Sequence, residues 1–546
     1  MWINGKKLDV QQIHPMKSLS TKSEFRKAIA SEKLKDNNDM MEAKFKDMKG
    51  FSRMVNKKRN TPRGDTGLLI IDEQQFSGDA QVLSGFFEYH KTAQTAPQLT
   101  NGESDHLYKS ATIDISSIQY IIRSRGWKLP SLSTTQVPDI ISRLKSGKSP
   151  DYFGLTSDHV KNGGSVAILY ITKYLNMTFK WMEFGVSEEE LIGTASMIYK
   201  GKGKSLINPK SFRKITVCAM LGKIKEMAIC DYSAPILRPF KAQSQIGFSA
   251  GLFVKLSNIL VTEKRAIAYK FDHVILHMFL DADAAFDKAL HEIIMRTMYH
   301  SGLQDDSWKY FLSMHKMSQT HIKWKSRISD DKFVEDQGTR QGGVAGPQEY
   351  KFYVNPMVSD LEKNCGDDRI AGHPSSVVAV ADDVAPTSRG ILPREALHNL
   401  QNLLNIVEDW GHQLHIKFGI EKCPFLISAR KKKYRQVLDI LKEEPEVLTF
   451  FGKPVSIVDS LYTHIGVPQA PIKQSAIVVD ERIKKGQEIS YMMQDVTKNA
   501  LLGISPLANR NIFQCYHAPS YLYGLDTIHV NQTDITRLEI KFRGEI

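Results

Sequence analysis

The spacing of apolar residues changes character along this chain, and the changes predict its elements. From about residue 134 the patterns are sharp. TTQVPDIISRLKSGKSPD reads as a capped helix ended by a glycine, and VAILYITKYLNMTFKWMEFG (166–185) has amphipathic helical spacing. ELIGTASMIYKGKGKS (190–205) reads as an apolar strand running into a Lys/Gly loop. HVILHMFLDADAAFD (273–287) is a near-continuous apolar run ending in carboxylates, which predicts a buried strand with an acidic C-terminal end. KALHEIIMRTMYHSG (288–302) returns to helical spacing, with Gly302 as its stop. SSVVAVADDVAPTS (375–388) predicts two short strands joined by a tight acidic turn. REALHNLQNLLNIVEDWG (394–411) predicts an amphipathic helix stopped by Gly411. This alternation makes the central region α/β or α+β.

The N-terminal part differs. Residues 1–60 are charged and poor in Gly and Pro, with helical spacing in FRKAIASEKLKDNNDMMEAKFKDMKGF. Residues 61–110 are turn-rich and hold one short apolar run, LLIID (68–72). A basic helical extension followed by an irregular connection is expected there. No fixed-period repeat is visible, which argues against a solenoid.

The length of 546 residues predicts about three or four domains, and 42% apolar with 24% charged residues is a globular balance. No apolar run approaches the roughly 20 residues that a membrane-spanning helix needs, and MWINGKKLDVQQ is not a secretory signal. Cys218, Cys230, Cys365, Cys423 and Cys515 form no CxxC pair, which argues against a zinc ribbon or a disulfide framework. The net charge of +13 points to a polyanionic partner. Residues 1–60 carry 15 Lys and Arg against 7 Asp and Glu, and NKKR (56–59) and ARKKKYR (429–435) are further clusters.

Asp281, Asp382 and Asp383 end otherwise apolar strands, where charge is costly unless paired or metal-bound. If the strands are sheet neighbours, the carboxylates converge, and divalent cations would relieve their repulsion. Magnesium prefers such hard oxygen ligands, and two ions can clamp a phosphoryl displacement. Between the acidic segments lies GTRQGGVAGP (338–347), Gly-rich with one polar amide at Gln341. Upstream, IYKGKGKSLINPKSFRKITV (198–217) offers Lys200, Lys202, Lys204 and Arg213 for a triphosphate, without P-loop spacing.

This order of segments resembles the reverse transcriptase domain of non-long-terminal-repeat retrotransposons over roughly residues 134–470. KSGKSPDYFGLTSDHVK resembles the opening block, and KGKGKS with SFRKITVCAMLGKIKEM the fingers segment. QIGFSAG (245–251), DADAAFD (281–287), RQGGVAGP, VADD (380–383) and HIKFGIEKCPFLI (415–427) resemble successive later blocks. LTFFGKPVSIVDSLYTHIGV (448–467) is similar to the block that grips the primer. The resemblance implies that Asp281 and Asp382 ligate two catalytic Mg²⁺ ions, with Mn²⁺ as a substitute, and that Asp383 supports them. It implies that Lys200, Lys202 and Arg213 hold the triphosphate, and that Phe286 excludes a 2′-hydroxyl. Gln341 would contact the nucleotide near its sugar, and Lys422 is either a proton donor to pyrophosphate or a structural lysine. Val380, Gly346, Ser249 and Lys214 depart from the usual aromatic, Ser, Arg and Pro of these blocks.

The implied fold is α+β: a right-hand polymerase with fingers, a palm of antiparallel sheet, and a helical thumb, preceded by the basic extension. The expected divisions are 1–130 for the extension and connection, 131–470 for fingers and palm, and 471–546 for the thumb. The implied activity is RNA-directed DNA polymerisation, with template RNA, a DNA primer and deoxynucleoside triphosphates as partners and no membrane. A catalytically silent, nucleic-acid-binding relic is the alternative. Chromosomal DNA as primer would imply a nuclear location. Residues 1–130 are too few for an apurinic-type nuclease, and the helical pattern of TRLEIKFRGEI (536–546) at the chain's end suggests a truncated thumb.

Overall fold

The computed structural model describes Trp2–Ile3, Lys6–Lys7 and residues 66–543, apart from 99–101, 103–104, 182–185, 202, 250, 365–368, 371–372, 375 and 499–512. The chain divides into two compact units, one of residues 64–472 and one of residues 1–63 with 473–546.

In the larger unit, a four-stranded antiparallel sheet runs in the order Val377–Val380, Asp383–Gly390, Val274–Met278, Phe425–Ser428. Val274–Met278 is an interior strand, and every one of its residues is buried. The helices Leu256–Phe271 and Pro393–Gln413 pack against it, which is why its sequence is an unbroken apolar run rather than an alternating one. His277 sits within it, fully buried, its Nδ1 3.1 Å from Thr387 Oγ1 on the neighbouring strand.

A second sheet is built on Ile192–Tyr199. Phe212–Cys218 pairs with it antiparallel and Gln319–Trp324 parallel, and Phe333–Val334 extends the far edge. Helix Asp79–Ala93 covers this sheet, placing Val82, Phe86 and Phe87 against Phe212, Trp324 and Phe333. The rings of Phe86 and Phe212 meet edge-on at 5.0 Å between centroids.

The stretch 61–110 is therefore not irregular beyond residue 66. Leu68–Ile71 and Gln74–Ser77 form a hairpin, followed by helix Asp79–Ala93 and the start of helix His106–Arg125. Asp72 and Glu73 make the turn in the left-handed region, with φ of 45° and 69°, without the glycine that would have signalled it. Two glycine stops also move. The helix after residue 134 spans only Gln136–Ser142 and ends before Gly147. Helix Pro393–Gln413 continues through Gly411, where a Cβ would lie 3.0 Å from Phe451 and 3.3 Å from Phe418. Gly411 thus serves close packing rather than termination. The helical pattern of residues 1–60 lies outside the described residues.

In the smaller unit, helices Gln474–Lys498, Ala518–Leu522 and Gln532–Arg543 bury Val479, Ile483, Tyr521 and Leu538 together. The Tyr521 ring lies directly over Gly486, where any Cβ would overlap it. Among the described residues no helix is long and apolar enough to cross a membrane.

Candidate active site

The antiparallel register pairs Thr387 with His277, and a bridge pairs Leu280 with Val384. Extending it by one residue sets Asp281 opposite Asp383. Asp382 occupies the turn between Val377–Val380 and Asp383–Gly390, so two strands that are sheet neighbours deliver all three carboxylates to one end. The turn is strained and braced. Ala381 has φ 59°, its amide donates to Gln245 Oε1 at 2.9 Å, and Gln245 Nε2 donates to its carbonyl at 3.3 Å. Gln245 and its neighbours lie alongside Val377–Val380, with Ile246 donating to the Ala379 carbonyl at 2.8 Å. Gly247 passes so close that a Cβ would sit 2.5 Å from the Ala381 nitrogen.

Asp281 is clipped to the segment after the Pro393–Gln413 helix. Its amide donates to Cys423 Sγ at 3.2 Å, and its carbonyl accepts from Gly419 at 3.0 Å. Lys422 Nζ stands 3.4 Å from Asp281 Oδ2 and 3.1 Å from Asp283 Oδ1. The hydrogen bond to Asp283 leads in raising the Lys422 pKa. The carboxylates repel one another. Burial and then Asp281 raise Asp382, while its own backbone hydrogen bond opposes them. Asp383 is reached by water yet crowded by neighbours, and burial, Asp382 and Asp281 push it up to about 6.

Phe286 is half-buried and stacks on Tyr350, with centroids 4.5 Å apart and planes 24° apart. Burial raises the Tyr350 hydroxyl well above its usual value, and Asp382 and Asp383 push it further. The Phe286–Tyr350 stack therefore borders the carboxylates.

On the second sheet, Ile198 pairs with Arg213, and the Lys200 amide donates to the Ser211 carbonyl at 2.8 Å. Arg213 is exposed, and Lys200 Nζ donates to the Lys210 carbonyl at 2.7 Å. Burial lowers the Lys200 pKa, and the charges of Lys204, Arg213 and Lys422 lower it further. The influence of Lys422 means that the basic loop and the carboxylate end share one electrostatic space. Lys202 lies outside the described residues.

The segment 338–347 is clamped on every side. Its Gly338 amide donates to Ala289 at 2.7 Å, Thr339 donates to the Phe286 carbonyl at 2.7 Å, and Thr216 donates to the Gln341 carbonyl at 2.8 Å. Gly342 has φ 120°, and a Cβ there would lie 2.3 Å from the Thr216 carbonyl oxygen, so only glycine fits. Arg340 points inward to the carbonyls of Leu191 at 2.6 Å and Gln319 at 2.9 Å and to Glu335 at 3.2 Å. Glu226 accepts from the amides of Val344 at 2.9 Å and Ala345 at 2.7 Å, just ahead of helix Gly346–Asn364. Burial raises the Glu226 carboxyl to about 7, against the pull of the Ala345 amide. Gln245, Arg340, Glu335 and Glu226 did not stand out in the sequence. The adjacent charges Lys225 and Glu226 inside the otherwise apolar IKEMAIC (224–230) were the available signal, because charge inside an apolar run needs a buried partner. Lys214, where the resemblance expects proline, is buried and paired with Glu335 at 2.7 Å.

The donors suit a hard divalent cation: three carboxylates at one sheet end, of which Asp382 and Asp383 are already raised by burial and by neighbouring carboxylates. Among the described residues no three His, Cys, Asp or Glu side chains form one ligating group. Magnesium needs no such cage, since it commonly takes one or two carboxylates and completes its shell with substrate phosphates and water. A cavity of about 640 Å³, lined by Phe153, Tyr174, Met177, Trp181 and Met220 among others, contains none of these site residues.

The family described as reverse transcriptase (RNA-dependent DNA polymerase) matches residues 199–452. A Drosophila melanogaster protein named "Probable RNA-directed DNA polymerase from transposon X-element" is 24% identical over 322 residues, covering 58% of this chain and 34% of that protein. A 115 kDa protein in the type-1 retrotransposable element R1DM of the same organism is 22% identical over 409 residues, covering 72% of this chain and 36% of that protein. The chain spans about a third of the length of these curated relatives. The matched segment runs from the Lys/Gly loop through both acidic strands to the Lys422 region, and the chain carries a reverse transcriptase domain of the non-long-terminal-repeat retrotransposon kind.

Proposed function

We propose that the protein is an RNA-directed DNA polymerase that adds deoxynucleotides to a primer 3′-hydroxyl. The observation that carries this reading is the delivery of Asp281, Asp382 and Asp383 to one end of an antiparallel sheet, where Lys422 pairs with Asp281 and its charge also reaches Lys200. The primer hydroxyl attacks the α-phosphate in line, and pyrophosphate leaves. Asp281 and Asp382 would hold two magnesium ions, with Asp383 in support. When bound, these would lower the pKa of the attacking hydroxyl and neutralise charge on the phosphates. Lys200, Lys202 and Arg213 orient the triphosphate, Arg213 by its planar fork. Phe286, backed by Tyr350, excludes a 2′-hydroxyl, and the clamped loop holds Gln341 beside the nucleotide. Lys422 protonates the leaving pyrophosphate. Catalysis on this reading is positioning plus charge stabilisation.

In this reading residues 131–470 are fingers and palm, 471–546 the thumb and 1–130 a template-binding extension. A chromosomal primer would put the reaction in the nucleus. The test is extension of a DNA primer on an RNA template with deoxynucleotides and magnesium, beside an Asp382→Asn control. The control should lose extension by about a thousandfold or more while keeping RNA binding. A folded, RNA-binding parent that extends nothing would replace this reading with a silent relic.

A further inference from the structure

The opposite end of the four-stranded sheet carries a second charged surface. Strand Val274–Met278 begins there, seven residues before Asp281, up to roughly 23 Å away at about 3.3 Å per residue. Helix Lys431–Glu443 starts at this end with three consecutive lysines, Lys431, Lys432 and Lys433, preceded by Arg430 and followed by Arg435. Arg430 donates to the Tyr269 carbonyl at 2.9 Å. Lys433 is 3.1 Å from Asp272 Oδ2 and donates to the Asp272 and Ile391 carbonyls. These bonds fix the helix start against the end of helix Leu256–Phe271. Lys431, Lys432 and Arg435 are exposed and form no ion pair among the described residues.

Aromatic and apolar surface is interleaved with the charge. Phe271 is 56% exposed, with the Lys270 ammonium 5.2 Å from its ring centre and His273 stacked at 6.1 Å. Tyr269, Ile391 and Leu392 are exposed beside it. Arg389 donates to His273 Nδ1 at 3.0 Å. Burial lowers the His273 pKa, Arg389 and Lys433 lower it further, and Asp272 and Glu395 oppose them.

The exposed charges at the helix start are unfavourably placed. The first turn of a helix is the positive end of its dipole and disfavours cations. Asp272 offsets Arg430 and Lys433, which leaves Lys431, Lys432 and Arg435 to repel the helix start and one another. A polyanion removes that repulsion. Exposed rings beside cations further select unstacked bases, since base–aromatic stacking and phosphate neutralisation together are how single strands are held. We propose that Phe271, Lys270, Lys431, Lys432 and Arg435 form a binding surface for single-stranded RNA, separate from the carboxylate end. Bases stack on Phe271, and the cations neutralise the flanking phosphates.

The proposal does not depend on polymerase activity, and its test is kept apart from it. Anisotropy of a labelled 20-nucleotide oligouridine is measured from low to moderate salt for the parent, for Phe271→Ala and for Lys431→Ala/Lys432→Ala/Arg435→Ala. Each variant should bind about tenfold more weakly. The triple variant should also flatten the log K against log[salt] slope by about 2, at ~0.7 per phosphate contact, whereas Phe271→Ala should leave that slope unchanged. A thiouridine-labelled probe should crosslink to the Phe271 peptide. All these side chains are exposed, so thermal unfolding should match the parent. Extension of an eight-base-pair primer–template should be unchanged. A parent that binds the probe but extends no primer would remove the polymerase reading and leave this one. Unchanged affinity and slope in both variants would overturn the proposal. So would equal losses on duplex DNA with no effect of Phe271→Ala, which would mean a duplex phosphate site, or stronger binding to anionic phosphatidylserine vesicles than to the probe.

Discussion

Glu335 offers a quantitative test of how the 338–347 loop is held. Its carboxylate takes Lys214 at 2.7 Å, Arg340 at 3.2 Å and the Thr320 hydroxyl at 3.0 Å, and its side chain and that of Lys214 are 3% and 1% exposed. Burial alone would raise its pKa, but Lys214 and then Arg340 outweigh burial and hold it at about 2 against the ordinary 4.5. Glu335→Gln keeps the shape and removes the charge, stranding two buried cations. Breaking such a pair costs about 3–5 kcal/mol. The pKa displacement gives a similar figure, about 3 kcal/mol at 1.36 kcal/mol per unit. A depressed carboxyl contributes its full stability above its unfolded pKa of 4.5 and loses it as pH falls towards 2. Urea unfolding of parent and variant, followed by tryptophan fluorescence, should therefore differ by about 3 kcal/mol at pH 7 and converge between pH 4.5 and 2. A gap below about 1 kcal/mol at pH 7, or one that persists unchanged in acid, would refute the assignment of Glu335 as the counter-charge.

Other outcomes follow from the site. Phe286→Ala should lower the preference for deoxy- over ribonucleotides by roughly tenfold to a hundredfold, the scale of a 1–3 kcal/mol contact; an unchanged ratio in competitive extension would remove Phe286 from sugar selection. Lys422→Met should lower kcat by about a hundredfold if Lys422 donates the proton. The same change should shift the magnesium dependence to lower concentration, because Asp281 loses an ammonium at 3.4 Å. Unchanged kcat with an unchanged metal requirement would make it a structural lysine.

Where an element is buried on both faces, the sequence shows it directly. Val274–Met278 lies inside a sheet under helices, so all its residues are apolar or pinned like His277, and the run stops where Asp281 meets water. The acidic turn at Asp382 was legible for the same reason, as charge closing two apolar strands. Helix Asp79–Ala93 was not, because its hairpin turns on Asp72 and Glu73 rather than on glycine. Gly411 and the missing stop after Ser142 show that a glycine marks either a helix end or a tight contact, and local sequence does not distinguish them.

The sequence by itself determined most of the elements from residue 134 onward, the three carboxylates and the order of blocks, because burial and charge cost act residue by residue. Only the tertiary structure decided which charges are structural. Lys214 and Arg213 are adjacent in one strand, yet the pleat turns one into the core and the other to water. Glu335 lies 121 residues from Lys214, and Gln245 lies 136 residues from the turn it braces. Pairings at such separations depend on how the sheets close, and no local pattern encodes that closure.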